Sequence, residues 1–130
     1  MPKEKYRLRY DASFRRGKRG IGYVIYDPEG NIIYTHAEPV LKQYSVLQLE
    51  MYAMLKGLEE INKRGIKKVK VRGDNKDVYR ILKGKKEARS VDFLKVKIEN
   101  FIDNFEYIKI NWIPREINRD ADVMSKIPTK

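Results

Sequence analysis

Four carboxylates, Asp11, Glu50, Asp74 and Asp122, are the side chains of this 130-residue chain whose types and settings suggest chemistry. The chain has no cysteine and a single histidine, His36. Thiol catalysis, disulfide scaffolds, cysteine-ligated zinc and paired catalytic histidines are therefore excluded. Acid–base or metal chemistry must rest mainly on carboxylates. Glu50 is the most informative. At helical spacing its neighbours are Val46, Leu47, Ala53, Met54, Gly57 and Ile61, all apolar or small. A carboxylate on the core side of a helix is costly unless something compensates it; the alternative is a side chain that bends out to solvent. Asp74 closes the segment Val71-Arg72-Gly73-Asp74-Asn75, at the carboxyl edge of a strand where α/β folds build sites. It reads equally well as a helix cap. Asp11 ends the first strand, and Asp122 lies on the last helix, two residues from Asp120. Taken singly, each of these is an ordinary position for an acid.

The elements that would carry them follow from hydrophobic period. Tyr6 to Ala12 alternates with period two, a strand signal. The basic stretch Phe14 to Gly20 is expected to be a loop. Ile21 to Tyr26 and Ile32 to His36 read as strands joined by the turn Asp27-Pro28-Glu29-Gly30-Asn31. Tyr44, Leu47, Met51, Met54, Leu58 and Ile61 then recur every three or four residues, the stripe of an amphipathic helix. Ser45 caps its start and Gly65 follows its end. A fourth strand is expected over Lys67 to Arg72, and a short helix over Asn75 to Lys83. A further helix is expected from Ser90 to Phe105, a fifth strand from Tyr107 to Ile113, and a final helix from Asn118 to Lys126. This order predicts one α/β domain over residues 1–130: a mixed sheet covered by helices. Trp112, Tyr44 and the phenylalanines are expected in the core.

Hydrophobic residues make up 42% of the chain, enough for one core. Lys and Arg number 29 against 18 acids, a net charge of +11 at pH 7. Such an excess attracts polyanions, nucleic acid first and an anionic membrane surface second. Arg15, Arg16, Lys18 and Arg19, together with Lys85 and Lys86, are the candidates for phosphate contacts. No apolar run reaches the roughly 20 residues needed to span a bilayer. The charged segment from Met1 to Tyr10 lacks the apolar stretch of a signal peptide. A soluble, cytoplasmic, monomeric protein is expected.

In combination the acids become specific. Tyr10-Asp11-Ala12-Ser13, the hairpin containing Ile21-Gly22-Tyr23-Val24-Ile25, the helix around Leu49-Glu50-Met51, the strand end Gly73-Asp74-Asn75 and the stretch Asn118-Arg119-Asp120-Ala121-Asp122 occur in that order. With them the chain resembles the ribonuclease H type 1 family over nearly its whole length, in the compact, archaeal-like form without a basic protrusion. The resemblance implies a ribonuclease H-like fold, a five-stranded mixed sheet of three antiparallel strands and then two parallel ones, on which Asp11, Glu50, Asp74 and Asp122 converge. It selects Asp122 rather than Asp120 through the Asn-x-x-Ala-Asp signature. Two like charges 4 Å apart repel by about 4 kcal/mol at an effective dielectric of about 20, so such a cluster calls for cations or raised pKa values. Hard oxygen ligands suit Mg²⁺ or Mn²⁺, two ions in the family's mechanism. The implied reaction is endonucleolytic hydrolysis of the RNA strand of an RNA–DNA hybrid. Asp11 and Asp74 would bridge metals, Glu50 would hold one metal and orient the RNA, and Asp122 would complete the other.

Two departures shape the alternatives. The position four residues before Glu50, where many members carry an RNA-contacting asparagine, is Val46. No histidine precedes Asp122; Arg115 is the substitute candidate, a permanent cation for a phosphate, or else a solvated residue paired with Glu116. The competing readings are a nucleic-acid-binding module with weak or no catalysis and a nuclease whose range extends to RNA duplexes.

Overall fold

Alternation in the first three segments runs further than its apolar residues suggest. In the computed structural model, which describes residues 5–130, β1 spans Tyr6–Arg15, β2 Lys18–Tyr26 and β3 Ile32–Pro39. The expected loop at Phe14 to Gly20 is mostly strand. Only Arg16 and Gly17 turn, both at positive φ (54° and 75°), the two-residue geometry that matches strand twist in a hairpin. After β3 come α1 (Val46–Lys63), β4 (Lys68–Gly73), α2 (Lys76–Leu82), α3 (Asp92–Ile102), β5 (Tyr107–Trp112) and α4 (Arg119–Lys126). The expected long helix from Ser90 is shorter: a 3₁₀ turn at Arg89–Val91 leads into α3, which stops at Ile102.

The sheet order is β3-β2-β1-β4-β5. β3, β2 and β1 pair antiparallel, and β1, β4 and β5 pair parallel. The parallel pairing of β1 with β4 sets Arg9 beside Arg72. Two residues further on, Asp74 lies just past the end of β4 and Asp11 lies within β1 beyond its last pair with β4, so the two stand at the same level of the sheet.

α1 crosses one face of the sheet. Leu8 and Tyr10 of β1, Ile21, Tyr23 and Ile25 of β2, and Val69 and Val71 of β4 pack there with Leu49, Met54, Leu58 and Ile61 of α1. Each fully buried Leu, Ile or Met adds about 1.5–3 kcal/mol. A capping box at Ser45 and Gln48 starts α1, each side chain bonded to the other's backbone N–H. α4 covers part of the opposite face. It approaches β2 so closely that a Cβ at Gly22 would collide with the backbone of Met124 and Ser125. Ser13 and Ser125 hydroxyls meet at 3.0 Å within this contact.

Not all aromatics are in the core. Trp112 is 36% exposed, and Phe14 and Phe93 are also exposed, whereas Tyr44, Phe101 and Phe105 pack partly buried against it. β5 is an edge strand, so the outer side of its last residue has no neighbour to bury it. No helix among the described residues is long and apolar enough to cross a membrane.

Candidate active site

Asp11, Glu50 and Asp74 converge. Each offers a carboxylate oxygen, and these three atoms lie within 4.8 Å of one another. β1 carries Asp11 to the sheet edge, where its Oδ1 accepts the Ala12 N–H at 2.9 Å. β4 ends beside it. Gly73 packs against the hydroxyl end of the Tyr10 ring, with no space for a Cβ, and this close approach sets the exit of Asp74. Asn75, not Asp74, caps α2: its side chain accepts the N–H groups of Asp77 and Val78 at 2.9 and 3.1 Å. The Asp74 carboxylate is thereby left for the cluster. α1 presents Glu50 from its core side at 5% exposure. Its Oε1 is buried without a hydrogen-bond partner, so the helix spends an apolar position on an uncompensated oxygen.

Crowding and burial shift these groups upward. Burial first, then the Asp74 charge, push the Asp11 carboxyl up to about 7 against the pull of the Ala12 N–H. Burial and the charges of Asp11 and Asp74 hold Glu50 well above the usual carboxylate range, and Arg115 partly offsets this. Tyr10 is raised by its own burial and by the surrounding acids. Desolvated acids sharing a cleft are the setting in which oxygen-liganded cations bind.

The other expected residues fall as follows. Asp122, on the first turn of α4, stands next to Asp11, close enough to raise its pKa. Its own Oδ2 pairs with Lys126 at 2.9 Å. Arg115 is exposed in a 3₁₀ turn (Arg115–Ile117), where its charge reaches Glu50. Arg15 donates to Thr129 Oγ1 at 3.2 Å and Lys18 to the Lys130 carbonyl at 2.9 Å. Arg19 donates to the Tyr44 carbonyl at 2.7 Å and lies over the Phe14 ring. These three thus hold the hairpin to its neighbours, while Arg16 stays exposed at the turn. Lys86 lies 3.7 Å from Asp77, and Lys85 lines an open groove with Lys76, Tyr79, Arg80 and Trp112. His36, on β3, bonds Glu38 at 2.9 Å and stacks on Tyr23. Val46 is 49% exposed. Gln48 is occupied by its capping bond and by Ser90 O at 2.9 Å.

Asn118 belongs to the site although the sequence marks it only as part of a signature. It is fully buried. Its Nδ2 donates to the Tyr10 carbonyl at 2.9 Å and to Asp74 Oδ2 at 3.1 Å, while its Oδ1 has no partner. The Asn-x-x-Ala-Asp spacing was the available signal: it puts this amide at the start of the helix that bears Asp122.

The profile of the family described as reverse transcriptase-like matches residues 9–127. No curated protein sequence matches the chain. Among solved structures, RNase H1 from the halophilic archaeon Halobacterium salinarum superposes with a TM-score of 0.86 at 22% identity, covering 92% of this chain and 93% of that one. An RNase H domain from Mycobacterium tuberculosis gives 0.85 at 21% identity, over 93% and 90% of the two chains. A compost-derived RNase H1, LC11, solved in complex with an RNA/DNA hybrid, gives 0.81 at 25% identity over 92% and 93%. By sequence profile over nearly its whole length the chain belongs to the reverse transcriptase-like family, and it shares the fold of these type 1 ribonucleases H over more than nine-tenths of its residues.

Proposed function

We propose that this protein is a metal-dependent endoribonuclease that hydrolyses the RNA strand of RNA–DNA hybrids by a two-metal mechanism, acting as a single-domain, cytoplasmic monomer. The observation that carries the reading is Glu50: a buried carboxylate with an orphaned oxygen, within 4.8 Å of two further acids on a protein of charge +11. A domain built only to hold a polyanion has no use for converging acids beside it. The donor set is all oxygen, and the unpartnered Glu50 Oε1 and Asn118 Oδ1 are oriented polar atoms without a protein partner; both features fit Mg²⁺ or Mn²⁺. Asp11, Glu50 and Asp74, with Asp122 turned from Lys126, would hold two such ions. When bound, they supply electrophilic activation of water and of the leaving oxygen.

The chain's own residues prepare that chemistry. The Ala12 N–H and the Asn118 amide hold Asp11 and Asp74 in fixed orientations, so no reorganisation is needed when charge develops. Arg115 places a permanent cation beside Glu50, where it can hold the phosphate next to the bond that breaks. Exposed Arg16, Lys85 and Lys86, with Arg15, Lys18 and Arg19 along the hairpin, lie where they can meet substrate phosphates, which sets affinity and salt dependence rather than sequence choice.

A second reading, in which RNA duplexes are also cut, is favoured by Val46 and Gln48. The 2′-hydroxyl is how a protein tells RNA from DNA. The first turn of α1 offers it an apolar side chain at one position and an amide already engaged at the other.

The test is cleavage of a strand-labelled RNA–DNA hybrid with Mg²⁺, Mn²⁺ or EDTA, using RNA and DNA duplexes as controls. Cutting confined to the RNA strand, lost in EDTA and in Asp74→Asn, is expected. Asp74→Asn should still bind the hybrid as well as wild type or better, because one negative charge leaves the cleft. Cutting of RNA duplexes selects the second reading. Salt-sensitive binding with no cutting under any metal refutes both and leaves a binding module.

A further inference from the structure

The sheet face opposite α1 is only half covered. α4 packs over β2, β1 and β3, and the outer side of β4 and β5 carries no helix. Along β4, buried Val69 and Val71 alternate with Lys68, Lys70 and Arg72, which project to this uncovered side. On β1, Arg7 and Arg9 alternate with buried Leu8 and Tyr10, and on β5 Lys109 stands between Ile108 and Ile110. The strand register brings these cations side by side: Arg7 next to Lys70, Arg9 next to Arg72, and Lys70 next to Lys109.

None of them forms an ion pair within 4.0 Å among the described residues. The Nε atoms of Arg9 and Arg72 are buried without any acceptor. Arg9 spends one Nη1 donor on the Ile117 carbonyl at 2.8 Å and lies over the Tyr26 ring. Asp120, near Arg9, accepts the Tyr26 hydroxyl at 2.5 Å.

A solvated sheet face needs polar side chains, and threonine or tyrosine would serve. Lysine is a poor strand former, and like charges directly across a strand pair destabilise it. Three such pairs in one patch oppose folding, and a polyanion laid across them would reverse the sign of that interaction. The cations repeat along each strand at about 6.6 Å and across strands at about 4.8 Å, a lattice of donors whose spacing along a strand is close to that of every second phosphate in a chain that carries one every ~3.4 Å of its axis. Besides Tyr107, paired with Lys68, the outer side of β4 and β5 carries among these cations no apolar side chain of the kind that would enter a bilayer. Arg9 and Arg72 each stand two residues before a carboxylate of the cluster, so the patch runs toward the same sheet edge.

We propose that this face, centred on Arg9, Lys70, Arg72 and Lys109, is a second nucleic-acid surface, which takes a sugar–phosphate backbone other than the one in the carboxylate cleft. It would keep the protein on a long duplex without a basic protrusion.

The test measures binding in EDTA, so that it does not depend on cleavage. The triple variant Lys68→Gln/Lys70→Gln/Lys109→Gln, whose sites are on the solvent side of the sheet, is compared with wild type on a 30-base-pair RNA–DNA hybrid and on a DNA duplex across a salt series. A control, Lys42→Gln/Lys63→Gln/Lys97→Gln, removes the same charge elsewhere. The expected result is a tenfold or greater loss of affinity for both duplexes, with the slope of log K against log salt reduced by about 2 to 3, in the first variant alone. Unchanged affinity and slope, or an equal loss in the control, overturns the proposal. Vesicles of one part phosphatidylglycerol to three of phosphatidylcholine form a further arm: a loss of vesicle binding with duplex binding intact overturns it in favour of a membrane surface. Melting temperatures no lower than that of wild type confirm that each comparison is between folded proteins. If wild type cuts no hybrid, the proposed nuclease activity fails while this binding result still stands.

Discussion

The Asn118 amide joins Asp74 Oδ2, 3.1 Å away, to the backbone carbonyl of Tyr10, 2.9 Å away. One side chain at the head of α4 thus spans the two parallel strands that carry Asp11 and Asp74. Replacing it with alanine strands a buried carbonyl and frees Asp74, so Asn118→Ala should lose about 1–3 kcal/mol of stability. Its kcat should fall more than its KM rises, because the residue positions a ligand and touches no substrate. Urea unfolding and steady-state cleavage measure both, and a variant with wild-type kcat would remove Asn118 from the site.

The raised acids make metal-free stability depend on pH, and the sign is definite. Unfolded, Asp11 titrates near 3.8; folded, near 7. Between those values the folded state binds more protons, so stability is greatest at the acid end and is lost as pH rises toward 7. The slope for each such group is at most about 1.4 kcal/mol per pH unit. In EDTA the melting temperature should fall between pH 4.5 and 7, and Asp11→Asn should flatten the fall. A wild-type profile that is level or rising in this window would contradict the burial and crowding of the acids.

Divalent cations compete with those protons. Added Mg²⁺ or Mn²⁺ should therefore raise the melting temperature more at pH 8 than at pH 5, by RT ln(1 + [L]/Kd) for each site. Asp74→Asn should lose most of the gain. Thermal scans with and without metal would show it, and an equal gain in the variant would place the cations elsewhere.

Glu50→Gln removes a charge that its surroundings disfavour. Without metal at pH 8 the variant should be more stable than wild type, by about 1–2 kcal/mol, and inactive. A lower melting temperature in EDTA would mean that the carboxylate is compensated in the fold.

Arg115 is exposed. Arg115→Ala should slow cleavage about tenfold or more and leave the melting temperature within a degree or two. Unchanged kinetics would return it to the solvated surface.

Much of this protein is legible in its sequence, because period and residue type are local properties. Alternation in Tyr6 to Ala12 and the three-to-four spacing from Tyr44 to Ile61 assign β1 and α1, and Ser45 marks the cap. Glu50 is conspicuous because a carboxylate breaks an apolar helical face. The strands of the basic hairpin are invisible to hydrophobic period, since arginine and lysine carry no apolar signal, although Arg16 and Gly17 alone turn the chain. The exposure of Trp112 is hidden from the sequence, because hydrophobicity does not say whether a strand lies at the edge of a sheet.

Sequence by itself determined the types of the acids, their order and the elements that bear them. Only the tertiary structure decided which groups meet. Parallel pairing of β1 and β4 levels Asp11 with Asp74, close contact at Gly73 and Gly22 seats the strand end and α4, and the Asn118 amide closes the bridge. It also decided that Asp122 faces Lys126 as well as Asp11, that Gln48 is taken up by its own helix cap, and that scattered arginines and lysines share one sheet face. The reason is physical. Secondary structure answers to neighbours in the chain, whereas a site is made by distances across strands more than 60 residues apart, which packing sets and no local pattern records.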